Sequence, residues 1–262
     1  MIHTGYETIC SRRNNCTLYI VKIVHSYIDI YNFTPLSDEK IIKLYNFLTQ
    51  FKYIINLNYD LLVYYILLYN TDNFIDFFLP DRNRNNKLTF HESISGYQNT
   101  TRVYYPHGNI LLGVNSNGEE EKICQQPGIS LLSTILSKWS DDIDFYPLFV
   151  CEGSSKEKVN SISRNYYLSY IYRNILPQLP NTIICYGWSL SENDEHILKQ
   201  ILKDSQRNHK LIISIRTTNK SDSQIEAECT NIKNRINNIN NTTEVHFFNS
   251  SDEGCWLNYN TN

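Results

Sequence analysis

The chain has 262 residues, of which 41% are hydrophobic, and this is enough to bury a sizeable core. Its 24 basic and 27 acidic residues give a formal net charge of −3 at pH 7, which argues against nucleic acid and against an acidic membrane surface as partners. No Cys-x-x-Cys pair occurs among the seven cysteines, so the sequence predicts no disulfide framework, no zinc module and no structural metal.

The sequence contains no pattern typical of a membrane segment or of a division into domains. Met1–Cys10 lacks the basic start and apolar core of a signal peptide, and the apolar run from Leu61 to Tyr69 is too short to span a bilayer. We find no internal repeat and no long linker. These features predict a cytoplasmic protein whose residues 1–262 form a single domain.

The first predicted elements are two amphipathic helices followed by a strand. Apolar residues at helical spacing predict one helix over Thr17–Tyr31 and a second that begins at Ser37. The run from Tyr53 to Leu57 predicts a buried strand, and helical periodicity resumes at Leu61. The residues between this strand and the next helix are Asn58, Tyr59 and Asp60.

Asn58 and Asp60 have two interpretations at this strand end. Asparagine and aspartate favour turns and helix N-caps, because their short side chains bond nearby backbone groups. Open α/β folds, however, bind ligands at the carboxyl ends of their strands. A second strand end favours the ligand interpretation, because a β-prone run, RVYY, ends there in Pro106, His107 and Gly108.

The middle of the chain has fewer regular patterns. Phe74–Leu79 predicts a short strand or an aromatic loop. Val114–Pro127 predicts an exposed loop, with the acidic run Glu119–Glu121 in contact with water. Tyr146–Cys151 then predicts a buried strand, and a long helix is expected from about Lys156 to Ile175.

The turn between that strand and that helix, Glu152 to Ser155, has two interpretations. The first turn of a helix leaves backbone N–H groups unpaired, so a glycine-serine turn at this point could seat an anion. The alternative is an ordinary helix N-cap by Ser154. Both interpretations remain open from the sequence.

Apolar strands and helices alternate through the rest of the chain. Thr182–Tyr186 is apolar and β-branched and predicts a buried strand, which ends at Gly187 and Ser189. A helix capped by Asn193 or Asp194 follows. The remaining predicted elements are a strand Leu211–Ile215, a helix over about Ser221–Ile239 and a strand Glu244–Phe248. This alternation predicts an α/β fold with one mainly parallel sheet and helices on both faces.

The chain resembles the sirtuin-like NAD-binding superfamily in four stretches, LNYDLLVYY, YYPHGNI, YPLFVCEGSSKEK and YGWSLSENDEHI. It is most similar to a bacterial branch known only as a domain of unknown function. The resemblance implies a Rossmann-like sheet and NAD as the substrate. In that superfamily an Asn-x-Asp strand end and a His-Gly pair line the nicotinamide pocket, and a later Gly-x-Ser loop holds the adenosine side.

Applied to this sequence, the resemblance assigns the reaction to Asn58, His107 and Asp60. His107 would accept a proton, Asn58 would hold a water or a ribose hydroxyl, and Asp60 would orient the loop or accept a hydrogen bond from the cofactor. The residues to which the resemblance assigns NAD contacts are Tyr59, Gly108, Glu152, Ser154, Lys158, Gly187, Ser189 and Asp194.

The sequence departs from the superfamily pattern at two points. Only Gly5 precedes Asn58, so the first strand and the Gly-rich loop that cradles the pyrophosphate are expected to be missing and the NAD affinity to be weak. The lack of Cys-x-x-Cys pairs also removes the zinc-bound module of protein deacylases. This disfavours an acyl-lysine substrate.

Two functions therefore stay open. In the first, the protein is an NAD hydrolase that cleaves the nicotinamide–ribose bond, as in bacterial defence, and a partner protein or a second copy supplies the missing loop. In the second, it is an inactive remnant or a protein-interaction module of the same fold. Little NAD hydrolysis is expected from the chain alone, and the charge balance leaves nucleic-acid binding as a distant third.

Overall fold

The computed structural model describes residues 38–124, 127–141, 144–150 and 153–258. These residues form two compact units. The first unit is drawn from Met1–Cys151 and Asn165–Leu168, and the second from Glu152–Arg164 and Ser169–Asn262. The predicted helix over Thr17–Tyr31 and the predicted start at Ser37 lie outside the described residues.

The first unit contains three α-helices of its own and eight strands in its described part. These are α1 (Asp38–Leu48), β1 (Tyr53–Ile55), α2 (Leu62–Tyr69), β2 (Phe74–Ile75), β3 (Phe78–Asp81), β4 (Lys87–Phe90), β5 (Thr101–Tyr104), β6 (Gly108–Val114), β7 (Glu120–Lys122), α3 (Leu131–Asp141) and β8 (Tyr146–Phe149). Short 3₁₀ turns occupy Thr71–Asn73 and Arg82–Arg84. The predicted helices at α1 and α2 are confirmed.

The second unit alternates helices and strands. Its elements are α4 (Ser155–Ile162), α5 (Tyr166–Tyr170, which begins in the first unit), β9 (Thr182–Cys185), α6 (Glu195–Ile201), β10 (Lys210–Ile215), α7 (Asp222–Ile239) and β11 (Glu244–Asn249). A π-helical turn covers Ile171–Ile175, and 3₁₀ turns cover Leu176–Gln178, Glu192–Asp194 and Trp256–Asn258. The strands and helices predicted from Thr182 onward are all present.

A small parallel sheet, in the order β1-β5-β2, forms one part of the first unit. β1 pairs with β5 from Tyr53↔Arg102 to Ile55↔Tyr104, and β2 pairs with the other side of β5. Because all three strands run in one direction, their carboxyl ends lie at the same edge of the sheet. This edge holds the strand ends that the sequence singles out.

The second sheet of this unit is antiparallel and has the order β3-β4-β7-β6-β8. The strand predicted over Tyr146–Cys151 exists as β8, but it pairs antiparallel with β6, so the prediction of one mainly parallel sheet is wrong here. Periodicity cannot separate the two cases, because a short apolar run suits either kind of pairing. The residues that form a buried core beside this sheet are Leu61, Ile110, Leu111, Ile123, Leu131, Leu132, Ile135 and Phe145.

The acidic run Glu119–Glu121 was expected in a wet loop, and this expectation is wrong for part of it. Glu120 begins β7 and its side chain is buried, with one carboxylate oxygen accepting a hydrogen bond from the Tyr167 backbone N–H at 2.8 Å. Burial raises the pKa of Glu120 to about 7, although the hydrogen bond from Tyr167 acts in the opposite direction. Because β7 pairs with both β4 and β6, the Glu120 side chain points into the protein.

The helix predicted from Lys156 to Ile175 is interrupted. α4 ends at Ile162, α5 begins at Tyr166, and the hydroxyl of Ser163 donates to the Asn160 carbonyl at 2.8 Å. Serine side chains that bond the backbone in this way compete with the helix, which accounts for a break in a polar stretch. The sequence lacks a Gly or Pro that would have marked the stop.

The second unit contains a three-stranded parallel sheet in the order β11-β10-β9. β10 pairs along its full length with β11 and over Lys210–Ile213 with β9. β9 was predicted to be a buried strand, yet it lies at the sheet edge and Ile184 is 44% exposed. An apolar, β-branched sequence favours a strand but does not determine its place in the sheet.

The protein is thus an α/β protein with parallel and antiparallel sheets in its described part. A Rossmann-like layout, with one sheet covered by helices on both faces, is not confirmed. Within the described ranges, no helix combines the length and apolar character needed to cross a membrane.

Candidate functional site

The three parallel strands of the first unit each run into a polar residue at their carboxyl end. Asn56 follows β1, Tyr105 follows β5 and Asp76 follows β2. The backbone N–H of Asn56 donates to the Tyr104 carbonyl at 2.9 Å, so the pairing of β1 with β5 continues one step beyond the strands. Asn56 and Tyr105 therefore lie side by side in register.

The predicted residues Asn58 and Asp60 lie in the loop between β1 and α2. Asp60 accepts a hydrogen bond from the Leu62 N–H at 2.9 Å, which satisfies a backbone donor at the start of α2. This contact supports the turn interpretation for Asp60, whereas the N-cap of α2 is Leu61 and has no side-chain cap. Asn58 is exposed, and no hydrogen bond joins its side chain to another described residue, so the capping interpretation does not account for Asn58.

Tyr59 has a structural role that its sequence position does not reveal. Its hydroxyl donates to the Val150 carbonyl at 2.5 Å, and its ring lies 5.7 Å from that of Phe149. The backbone N–H of Val150 in turn donates to the His107 carbonyl at 2.8 Å. These contacts join the loop after β1, the loop after β5 and the end of β8.

His107 and Gly108 follow β5 at the same sheet edge as Asn58. His107 is only 2% exposed, which makes it one of the buried polar residues of the unit. Gly108 has φ of +71°, and a Cβ at this position would lie 1.9 Å from the Leu148 carbonyl oxygen. The close approach of β8 thus requires glycine here, which explains Gly108 without a ligand but leaves His107 unexplained.

Two buried polar atoms at this edge have no hydrogen-bond partner among the residues that the structure describes. They are the Asn56 amide nitrogen Nδ2 and the Tyr105 hydroxyl, in residues that are 7% and 1% exposed. Such groups are usually hydrogen-bonded in folded proteins, because an unmade bond costs about 1 to 3 kcal/mol. Sequence reasoning missed both residues, although Asn56 interrupts an apolar run and Tyr105 precedes Pro106-His107-Gly108.

The Tyr105 hydroxyl is affected electrostatically by two carboxylates, those of Asp76 and Asp60. Burial, followed by the electrostatic effects of Asp76, Tyr64 and Asp60, raises the pKa of Tyr105 well above its ordinary value of 10.0. The Asp76 carboxylate forms an ion pair with the Lys122 ammonium, whose Nζ lies 5.0 Å from the centre of the Tyr64 ring. Tyr105 therefore stays protonated at neutral pH and can donate a hydrogen bond.

The second unit holds the remaining predicted residues, at the carboxyl end of β9 and around α4. Gly187 has φ of +67° with open space where a Cβ would lie, and its N–H donates to the Ser214 hydroxyl at 2.9 Å. Ser189, two residues further on, is exposed. Their predicted contact with the adenosine side of NAD stays a prediction.

Lys158 and Asp194, predicted separately, are brought together. Their side chains form an ion pair at 2.7 Å, and Lys158 is 7% exposed. His196 is buried in the same unit, and burial lowers its pKa to about 4, although nearby Asp194 acts in the opposite direction. A neutral histidine therefore packs close to a paired lysine and aspartate.

Ser154 caps α4 in a reciprocal arrangement. Its hydroxyl accepts from the Glu157 N–H at 3.4 Å, and the Ser154 N–H donates to the Glu157 carboxylate at 2.8 Å. A carboxylate already occupies the start of this helix, and it would repel a second anion. The geometry favours the capping interpretation over the anion seat, and Glu152 lies outside the described residues.

Residues 11–256 match the model of a protein family described as a domain of unknown function, DUF4917. The chain belongs to this family. No curated protein matches it. Family membership therefore covers both units of this DUF4917 protein.

In the parts of the chain that the structure describes, no group of three or more His, Cys, Asp or Glu side chains is placed to hold a metal ion. The candidate site that remains is the carboxyl edge of the first-unit parallel sheet. We call it the β1-β5 edge and define it by Asn56, Asn58, Tyr105 and His107.

Proposed function

We propose that the protein is an NAD hydrolase whose reaction takes place at the β1-β5 edge. The observation that carries the proposal is the parallel pairing of β1 with β5, which brings the strand ends of Asn58 and His107 to one edge of one sheet. These are the residues to which the sirtuin-like resemblance assigns the reaction. A Rossmann-like arrangement and a cytoplasmic location belong to the same proposal.

The proposed reaction is a hydrolysis without any redox step. The bond between ribose C1′ and the pyridinium nitrogen breaks, and its electron pair goes to nitrogen, which removes the positive charge from the ring. The oxygen of water bonds to C1′, and one proton is released. Because the leaving group is already activated by its charge, the protein has to orient the nucleophile and accept its proton.

His107 and Asn58 are suited to these two tasks. An imidazole can accept a proton near neutral pH, and the hydrogen bond from Val150 N–H to the His107 carbonyl fixes the backbone that carries it. The exposed Asn58 amide offers both a donor and an acceptor to a water or a ribose hydroxyl. Asp60, which already bonds the Leu62 N–H, would orient the loop.

The proposal also includes expectations from the sequence that remain predictions. They are the adenosine-side contacts of Gly187 and Ser189, the NAD contacts of Glu152, Ser154, Lys158 and Asp194, the role in bacterial defence, and a partner protein or second copy that supplies the Gly-rich loop.

The test is nicotinamide release from NAD, followed by chromatography at millimolar NAD over long incubations. We expect slow release that falls at least about 100-fold in His107→Ala and in Asn58→Ala, because general base catalysis and nucleophile positioning are each large effects. His246→Ala is the matched control, since His246 is an exposed histidine on β11 and its loss should leave the rate unchanged. Release that survives both substitutions would exclude these residues from the mechanism. No release at any NAD concentration would favour the interaction-module alternative.

A further inference from the structure

The unpartnered polar atoms at the β1-β5 edge are not used by the proposed reaction. Asn56 Oδ1 already accepts from the Asn58 N–H at 3.1 Å, so the free function of its side chain is the Nδ2 donor. The backbone N–H of Tyr105 donates to the Tyr167 hydroxyl at 3.1 Å, so its free function is the phenol. Together they offer one N–H donor and one hydroxyl that can donate or accept.

These two side chains project from aligned positions of neighbouring strands. In a parallel pair, aligned residues place their side chains on the same face of the sheet. One small polar group on this face of the sheet is therefore the simplest common partner for the two groups. That group must be able to accept a hydrogen bond, since the Asn56 nitrogen can only donate.

The charges at this edge indicate whether such a group is neutral or anionic. Asp76 and Asp60 both interact electrostatically with the Tyr105 hydroxyl, and Asp76 is balanced by Lys122 while Asp60 is exposed. A ligand carboxylate at this position would meet like charge and would accept hydrogen bonds only. A primary amide has the required carbonyl acceptor and no charge, and its NH₂ can donate to the phenol oxygen or to a carboxylate.

We propose that Asn56 and Tyr105 bind a neutral carboxamide group, the carboxamide of the nicotinamide ring, and that the site rejects the corresponding carboxylate. The proposal rests on the proposed function for the identity of the ligand. It adds two substrate-contacting residues and a specificity that the resemblance does not assign. It also gives a physical reason for two buried polar groups that lack partners within the protein.

Tyr105→Phe is the central variant, because it removes only a hydroxyl that makes no hydrogen bond in the protein. Its melting temperature is expected to equal or exceed that of the wild type, since an unsatisfied buried group is deleted. Asn56→Asp is the second variant, and it retains the oxygen that accepts from Asn58 while removing the donor. Tyr53→Phe is the matched control, because Tyr53 lies at the start of β1 and its hydroxyl accepts from Arg102.

The measurement is the affinity of the full chain for nicotinamide and for nicotinate, by calorimetry or ligand-observed NMR at pH 8, with circular dichroism to verify folding. The wild type is expected to prefer nicotinamide. Tyr105→Phe and Asn56→Asp should each weaken nicotinamide binding about tenfold, which is the effect of one lost hydrogen bond. Tyr53→Phe should bind as the wild type does.

Each outcome separates this inference from the proposed function. Unchanged nicotinamide affinity in folded Tyr105→Phe would overturn the inference even if NAD hydrolysis persists. Amide-selective binding that is lost in Tyr105→Phe, in a chain that does not hydrolyse NAD, would support the inference and overturn the hydrolase. If Tyr105→Phe is unfolded, the result for Asn56→Asp decides. A wild type that binds nicotinamide no better than nicotinate overturns the inference.

Discussion

The carboxyl ends of the two parallel sheets differ in how their polar groups are satisfied. At the second-unit sheet, the Gly187 N–H donates to Ser214 and the Tyr186 hydroxyl donates to the Ser250 carbonyl at 3.0 Å. At the first-unit sheet, Asn56 and Tyr105 each keep a buried polar atom without a partner. Hydrogen bonds within the described residues account for Gly187 and Tyr186 at the second-unit edge, although the indole Nε1 of Trp188 lacks a partner there. At the first-unit edge, a ligand would account for Asn56 and Tyr105.

The same contrast applies to the predicted site residues. In the second unit, Lys158 is paired with Asp194, and Ser154 is bonded to Glu157, so their presence has a structural explanation. In the first unit, Asn58 has no such explanation. Four predictions test whether the contrast is real, from the largest expected effect to the smallest.

Gly108→Ala should have the largest effect. A Cβ would overlap the Leu148 carbonyl and φ is +71°, so we expect a loss of about 4 kcal/mol in the free energy of unfolding. Gly187→Ala is the control at the other sheet edge. It has φ of +67° but open space around a Cβ, so backbone strain alone should cost about 1 kcal/mol. Urea denaturation measures the free energy of unfolding of both variants. Equal losses would show that the Leu148 carbonyl does not crowd a side chain at position 108.

Lys158→Met should destabilise the protein by about 3 kcal/mol, because it breaks an ion pair with Asp194 in which the Lys158 side chain is only 9% exposed. The matched control is Lys199→Met. Lys199 pairs with Glu195 at 2.7 Å but its side chain is 56% exposed, so its loss should cost under about 0.5 kcal/mol. Thermal unfolding compares the two variants. If the two variants lose the same stability, the Lys158–Asp194 pair does not stabilise the fold, and Lys158 is again a candidate for ligand binding.

The buried Glu120 carboxyl should make the stability of the protein depend on pH. Its pKa is raised by burial from 4.5 to about 7, so the folded state binds a proton more tightly than the unfolded state. Stability is therefore expected to fall as the pH rises from about 5 to 8, by about 2 kcal/mol, and to level off above that range. Glu120→Gln should remove this dependence. Unfolding curves at several pH values would contradict the prediction if wild type and variant keep parallel profiles.

Ser154→Ala should have the smallest effect, a loss of about 1 kcal/mol, because it removes one side of the reciprocal cap of α4. NAD affinity should not change if capping is the whole role of Ser154. Calorimetry with NAD supplies that second readout. A clear loss of NAD affinity in a folded Ser154→Ala variant would favour the interpretation of this turn as an anion-binding site. Ser154 would then have a role in ligand binding as well as in the fold.

Much of the local structure could be predicted from the sequence. Helical spacing predicted α1, α2 and α7, and the β-branched runs predicted β1, β9 and β10, because these periodicities reflect which side of each element is buried. The polar residues at the carboxyl end of β1 were also predicted, since the change from apolar to polar is local. The prediction of one long helix after Ser154 was wrong. The helix is interrupted where the Ser163 hydroxyl bonds the Asn160 carbonyl, and a serine is a weaker sequence signal for a helix end than Gly or Pro.

By itself, the sequence determined the α/β alternation and the polar character of the strand ends at Asn58 and His107, because both depend on residues that are close in the chain. Only the tertiary structure decided that β8 pairs antiparallel with β6, that β9 lies at a sheet edge and that Glu120 faces inward. It alone placed Asn56 beside Tyr105. Strand partners and buried polar atoms depend on segments far apart in sequence, and no local pattern encodes which of them will meet.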